Sequence, residues 1–281
     1  MGTGYVGRRV LESLNDGEVI GLSRSGLTTT RPVLLYDLDA DTDLPLPLPD
    51  IYRVLYTVAP ATDSEQDTRL GRLLDRLTKP PAAFVYISTT GVYGDRGGEQ
   101  VAEDAEPAPM TARARRRVAA ERLLQEWCAD HAVRLVVLRA PGIYGPGRLG
   151  LGRIRAREPL LDEADANPGN RIHADDLASC CIAALTNTAA TGVFNVGDGD
   201  ERTSTWFAGE VARQAGLEAP PTISRSEAEA TFSQRRLSFL RESRRVATDR
   251  MRDTLGITPK YANTEDGIRA SLYEEGLLDQ G

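Results

Sequence analysis

Glycines at positions 2, 4 and 7 open the chain as G-x-G-x-x-G and run straight into Arg8-Arg9-Val10-Leu11-Glu12-Ser13-Leu14, a segment with helical apolar spacing. In a dinucleotide-binding unit the first glycine makes a tight turn and the second lets a pyrophosphate approach the backbone. The third lets the helix pack closely on the sheet, and the helix N-terminus faces the phosphates. Gly2, Gly4, Tyr5, Val6 and Gly7 are therefore candidate cofactor-binding residues. Such a motif follows a strand, and here it starts at residue 2. The expectation is that Met1 is not the true start, and that in-frame sequence upstream supplies about 5–8 apolar, β-branched residues.

Further along, apolar runs alternate with helical patterns. Runs at 18–22, 32–36, 53–58, 84–88 and 134–138 read as strands. Helices are expected over 67–77, with Leu70, Leu73, Leu74 and Leu77 on one face, within 111–131, with Val118, Leu123, Leu124 and Trp127 inward, and over 203–217. This alternation predicts an α/β fold with a doubly wound, parallel, Rossmann-type sheet, its first strand missing from residues 1–281, and a small C-terminal substrate lobe. The cofactor domain is expected over 1–147, completed by 170–197, and the substrate lobe over 148–169 and 198–281.

The second strand ends in Ser23-Arg24-Ser25, where many NAD-binding units carry an acid for the ribose 2′-hydroxyl. An arginine there suits a 2′-phosphate, so Ser23 and Arg24 point to NADP, with NAD as the alternative. Composition sets outer limits. Net charge is −7, which argues against nucleic acid as the main partner. No run approaches the ~18 apolar residues of a membrane span, and the reading is a cytoplasmic protein with a small-molecule substrate. Cys128, Cys180 and Cys181 show no metal spacing and read as core residues, and His131 and His173 are too isolated for zinc, so no metal is expected.

Four stretches, Gly2–Gly7, Ser88-Thr89-Thr90-Gly91-Val92-Tyr93-Gly94, residues 138–147 (LRAPGIYGPG) and residues 171–178 (RIHADDLA), occur in the order found in extended short-chain dehydrogenase/reductases, and the chain resembles that family of NAD(P)-dependent epimerases and dehydratases. Residues 193–197 (VFNVG) extend the resemblance. The resemblance implies that Asp37 and Leu38 flank the adenine, that Ala59 lies near the nicotinamide ribose, and that Ser88, Pro141 and Gly142 line the cofactor site. It also implies a structural role for His173 and Asp176. Thr89 matches the position that fixes the substrate oxygen.

The family's proton-transfer pair reads Y-x-x-x-K, usually followed by an acid four residues on. With Glu121 aligned to that acid, Arg113 and Arg117 stand in the two places. The only lysines are Lys79 and Lys260, neither preceded by tyrosine at that spacing. A guanidinium stays protonated near neutral pH and cannot be a general acid, although Arg117 retains the capacity to hold ribose hydroxyls. The remaining proton donors are Tyr93 or Tyr144 of the matched motifs, set against a packing role for both, or a water held by Thr89. Arg117–Glu121 and Arg122–Glu126 have the spacing of i,i+4 pairs on a solvated helix face. Two functions follow: an NADP-dependent oxidoreductase or epimerase-like enzyme acting on a small hydroxylated, anionic or sugar-like substrate, with Thr89 orienting it, or a non-catalytic NADP-binding redox-sensing regulator.

Overall fold

The computed structural model describes residues 2–14, 19–26, 29, 31–40, 46 and 48–278. In chain order the described elements are α1 (Tyr5–Ser13), β1 (Gly21–Ser23), β2 (Val33–Leu35), β3 (Arg53–Tyr56), α2 (Thr68–Asp75), β4 (Ala83–Thr89), β5 (Gln100–Val101), α3 (Ala112–Asp130) and β6 (Arg134–Ala140). They continue with β7 (Gly142–Tyr144), α4 (Leu151–Arg155), β8 (Leu160–Leu161), β9 (Arg171–His173), α5 (Ala174–Thr186), β10 (Gly192–Asn195) and α6 (Ser204–Gln214). The last are β11 (Thr222–Ile223), α7 (Arg225–Thr231), α8 (Gln234–Leu240), β12 (Arg245–Val246), α9 (Asp249–Asp253) and α10 (Thr264–Glu274).

The central layer is parallel, as expected. β4 pairs with β3 on one side and β6 on the other, and β10 extends beyond β6. β1 and β2 pair in a separate two-stranded sheet. Gly2 stands between the two pieces: its N–H donates to Leu22 O at 3.1 Å, and its carbonyl accepts from Thr57 Oγ1 at 2.6 Å. β1 starts at Gly21 rather than at 18, where Glu18 lies outside the described residues, because its pairing with β2 begins only there.

β4 shows why both faces are covered. Successive side chains point to opposite faces, so Val85 and Ile87 join a core with α1 and α5, while Phe84 and Tyr86 join one with α2 and α3. On α2, Leu70, Leu73 and Leu74 are buried, and on α3 Val118 and Leu124 are buried with Leu123 and Trp127 packed at the margin. Asp67 and Thr111 cap α2 and α3 by accepting Leu70 N–H (3.1 Å) and Ala114 N–H (3.2 Å). All three cysteines are buried thiols.

A further core joins Tyr144, Leu149 and Ile154 with Val211 of α6 and Ile268 and Leu272 of α10. Met251 of α9 and Leu255 pack into the core that α5 shares with β4, β6 and β10.

The three motif glycines have separate surroundings. Gly2 has φ +83°, a left-handed conformation that favours glycine. A Cβ on Gly7 would collide with the carbonyl oxygen of Gly2, whereas a Cβ on Gly4 would meet nothing within 4 Å. Gly7→Ala should therefore lower stability by about 1–3 kcal/mol, and Gly4→Ala should stay within about 0.5 kcal/mol of wild type. Thermal or urea unfolding of both variants checks this pair.

Candidate functional site

The carboxyl ends of the parallel strands carry the candidate residues, the place where open α/β sheets bind ligands. Gly4 caps α1 without a side chain, leaving the helix N-terminus open beside the glycine loop. Tyr5 closes one side: its hydroxyl donates to Pro146 O at 2.8 Å, and its ring lies between the guanidiniums of Arg9 (4.2 Å) and Arg148 (3.9 Å). Val6 and Gly7 are buried under α5. Ser23 and Arg24 stand at the end of β1, and Arg24 lies 3.4 Å from Asp39. Asp37 accepts the Asp39 N–H at 2.9 Å, Leu38 is buried, and the Ala59 carbonyl accepts from Arg69 at 3.1 Å. These surroundings fit a dinucleotide: a glycine backbone with open space, a helix N-terminus, and an arginine at the end of the neighbouring strand.

At the end of β4, Thr89 Oγ1 accepts the Gly91 N–H at 3.2 Å, which leaves its O–H free to donate. Pro141 and Gly142 follow β6, and the Gly142 N–H donates to Asn170 O at 3.3 Å. Arg117 is half-buried and donates to Tyr86 OH at 3.0 Å and Ile87 O at 2.9 Å. Burial pushes the Tyr86 phenol up to about 12, against the lowering influence of Arg117. Arg113 lies one turn earlier on the exposed side of α3.

Two expectations change here. Arg117 and Glu121 do not pair on a solvated face. Glu121 is 3% exposed and bonds inward to Arg139 (2.7 Å) on β6, accepting also from Ser88 Oγ. Tyr93 is fully buried, and its hydroxyl donates to Asn195 Oδ1 at 2.7 Å beneath the cleft, with the Arg139 guanidinium 4.8 Å from its ring. Its hydroxyl is thus committed to a buried polar network with Asn195 and Arg139. Tyr144 is likewise buried, edge-on to His173 and Phe207. His173 caps α5 by accepting Asp175 N–H at 3.2 Å, and Asp176 accepts the N–H groups of Lys260 (2.7 Å) and Tyr261 (3.0 Å). Both tie loops to a helix start.

The sequence did not single out Arg148, which follows the Gly145-Pro146-Gly147 turn. It lines a cavity of about 350 Å³ in the second lobe, walled by Leu149, Ile154, Phe207 and Phe232 and bordered by Arg153 and Arg236. Glu158 pairs with Arg153 at 2.8 Å and lies 3.9 Å from Arg236. Among the described residues Arg148 has no acidic partner, so its charge faces the cavity mouth and the glycine-loop tyrosine together.

Residues 68–197 match the profile of the NAD dependent epimerase/dehydratase family. That central stretch of the chain is similar to the family. An alignment over 99% of this chain and 91% of the relative is 25% identical to UDP-glucose 4-epimerase of Azospirillum brasilense. A 120-residue stretch, 41% of this chain, is 32% identical to uncharacterized protein y4nG of Sinorhizobium fredii and spans 30% of that longer protein. A functionally unknown conserved protein from Silicibacter pomeroyi superposes with TM-score 0.80 at 29% identity, over 98% of this chain and 97% of the other. The fold is thus the Rossmann-type fold of NAD(P)-binding epimerases. No described helix is long and apolar enough to cross a membrane.

Behind Pro141 lies a second polar cluster. Arg171, 7% exposed, donates to Thr203 O at 3.1 Å and stands 3.6 Å from Asp200. Thr264 Oγ1 is 2.6 Å from Asp200 and 3.3 Å from Asp198. Burial pushes the Asp198 carboxyl up to about 7, against the lowering by the Asp200 N–H and Arg171. A carboxyl raised in the folded state contributes most below its unfolded value near 3.8, and that contribution is lost as pH rises through about 7. Asp198→Asn should therefore gain stability relative to wild type progressively from about pH 4 to about pH 7 and then level off, as read from urea midpoints across pH. Glu121→Leu leaves Arg139 buried without its counter-charge and should cost about 3–5 kcal/mol in the same assay.

Proposed function

We propose that the protein is an NADP-dependent oxidoreductase of the cytoplasm that acts on a small hydroxylated substrate bearing an anionic group, without the tyrosine–lysine pair of its family. The observation that carries the reading is Arg148, a guanidinium without an acidic partner among the described residues, stacked on glycine-loop Tyr5 at the edge of an apolar cavity of about 350 Å³. An anion held there keeps the attached carbon skeleton beside the cofactor loop. Arg148 is exposed, so a charge-assisted contact there contributes about 0.2–1 kcal/mol.

Gly2, Gly4 and Gly7 hold the pyrophosphate by backbone approach, Arg24 meets the 2′-phosphate, and Asp37, Leu38, Ala59, Ser88, Pro141 and Gly142 line the remainder. A nicotinamide held by these residues would supply or accept the hydride. Thr89, whose oxygen is already occupied by the Gly91 N–H, directs its proton at the substrate oxygen. Arg113 and Arg117 add fixed positive charge on the same helix and cannot supply a proton, so the proton is drawn from water relayed past Thr89.

A specific observation supports a second reading. Arg117 is already committed to Tyr86 OH and Ile87 O, which suits a protein that binds NADP and reports its redox state without turnover. The deciding experiment follows NADPH oxidation over a panel of aldehydes, ketones and oxoacids. Turnover is expected on oxoacids, with Thr89→Val about 10²-fold slower and Arg148→Met raising KM only for the anionic members. NADPH that binds tightly yet is oxidised by no member of the panel overturns the enzymatic reading in favour of the regulator.

A further inference from the structure

Arginines spaced three and four residues apart on α2 hold the segment that follows β2. Arg69 makes a two-point contact with Asp39, Nε–Oδ1 2.7 Å and Nη2–Oδ2 2.6 Å. Arg72 donates to Leu38 O at 3.0 Å and stands 3.8 Å from Asp39. Arg76 donates to Ala40 O at 2.9 Å. Arg24 approaches the same carboxylate from the end of β1 at 3.4 Å. The hydrogen bond from Arg69 holds the Asp39 carboxyl below its ordinary range, so it is ionised at neutral pH. Among the described residues Arg24, Arg69 and Arg72 thus converge on the one Asp39 carboxylate, which leaves this end of β1 net positive.

In a Rossmann unit the adenosine ribose lies at the end of the second strand, about 20 residues after the glycine loop; Arg24 is at that place. The positive excess therefore surrounds the ribose 2′ position, and Asp39 is the carboxylate that dilutes it. We propose that Asp39 is a specificity-determining residue that limits preference for a 2′-phosphate over a 2′-hydroxyl by engaging Arg24, Arg69 and Arg72. The inference rests on the assignment of this site to the adenosine end of NADP.

Coulombic attraction sets the sign. An ionised carboxylate sharing an arginine with a phosphate competes for it and repels it, and neither effect acts on a 2′-hydroxyl. One charge at a partly exposed site of this kind changes affinity by about tenfold. The protein holds the segment firmly enough that the competition is electrostatic: Leu38 is buried and its carbonyl is tied to Arg72.

Isothermal titration of the full chain with adenosine 2′,5′-bisphosphate and with 5′-AMP tests this without reference to turnover. A wild-type affinity ratio above one in favour of the bisphosphate supports the NADP assignment, and a ratio of one or less overturns that assignment alone. Asp39→Asn should raise the ratio about tenfold relative to wild type, and an unchanged or falling ratio overturns the role of Asp39. If Asp39→Asn melts below the titration temperature, Arg72→Gln takes its place, since the Arg69–Asp39 contact is kept and the carboxylate then weighs more. Its ratio should fall about threefold or more, and an unchanged or rising ratio overturns the proposal equally.

Discussion

The ion pair between Arg139 and Glu121 is the contact on which the active edge of the sheet depends. Both side chains are nearly sealed from water, at 4% and 3% exposure. Each charge would be costly to bury alone, and only paired, hydrogen-bonded charges survive in such surroundings. Glu121 receives Arg139 Nη2 at 2.7 Å and Ser88 Oγ, and Arg139 lies against the ring of Tyr93. Tyr93 passes the network to Asn195, whose N–H donates to Glu103 at 3.0 Å. The chain of contacts thus binds the ends of β4, β6 and β10 to α3. Thr89 sits one residue beyond Ser88, so its position is fixed by a buried polar network rather than by apolar packing alone.

That network also explains what could be read from sequence and what could not. Strands such as 84–88 and 134–138 were legible because a strand covered on both faces is apolar almost throughout. The glycine loop was legible because its spacing reflects steric demands, visible in the left-handed backbone of Gly2 and in the close approach of Gly7 to the Gly2 carbonyl. The partner of Glu121 was not. Arg117 is four residues away and suggests a local pair, whereas Arg139 lies 18 residues on and meets Glu121 only when β6 lies against α3. Tyr93 and Asn195 are 102 residues apart, beyond any periodic signal. The same limit applies to Met251 and Leu255, whose apolar character does not say which core receives them.

Tyr5 joins the glycine loop to the turn that carries Arg148. It belongs to the glycine loop, yet its hydroxyl is bonded to Pro146 and its ring carries Arg148 from the cavity. Gly145 permits this, because a Cβ there would lie 2.6 Å from the Tyr5 hydroxyl. A side chain at 145 would separate the two loops. The open backbone at Gly4 and the cavity mouth at Arg148 are therefore adjacent through one aromatic ring. A cavity lying in the second lobe, apart from the glycine loop, is in this way still attached to it.

The near-absence of lysine bears on the proton-transfer position as well. Arginine here serves as a fixed donor to backbone carbonyls. Arg134 donates to Ala184 and Leu185 at the end of α5, at 3.0 and 3.1 Å, satisfying carbonyls that a helix terminus leaves open, and to Ala190 in the loop beyond it at 2.7 Å. Arg117 does the same at Ile87, one residue before Ser88. Where a lysine would bring a point charge whose ionisation shifts with burial, a guanidinium brings a planar donor that keeps its charge. Position 117 therefore reinforces the strand that carries Thr89, and it contributes a constant field instead of a titrating one. Any pH dependence of chemistry at this edge has to arise from other groups, and among those described close to Pro141 the buried Asp198 is the carboxyl displaced furthest toward neutrality.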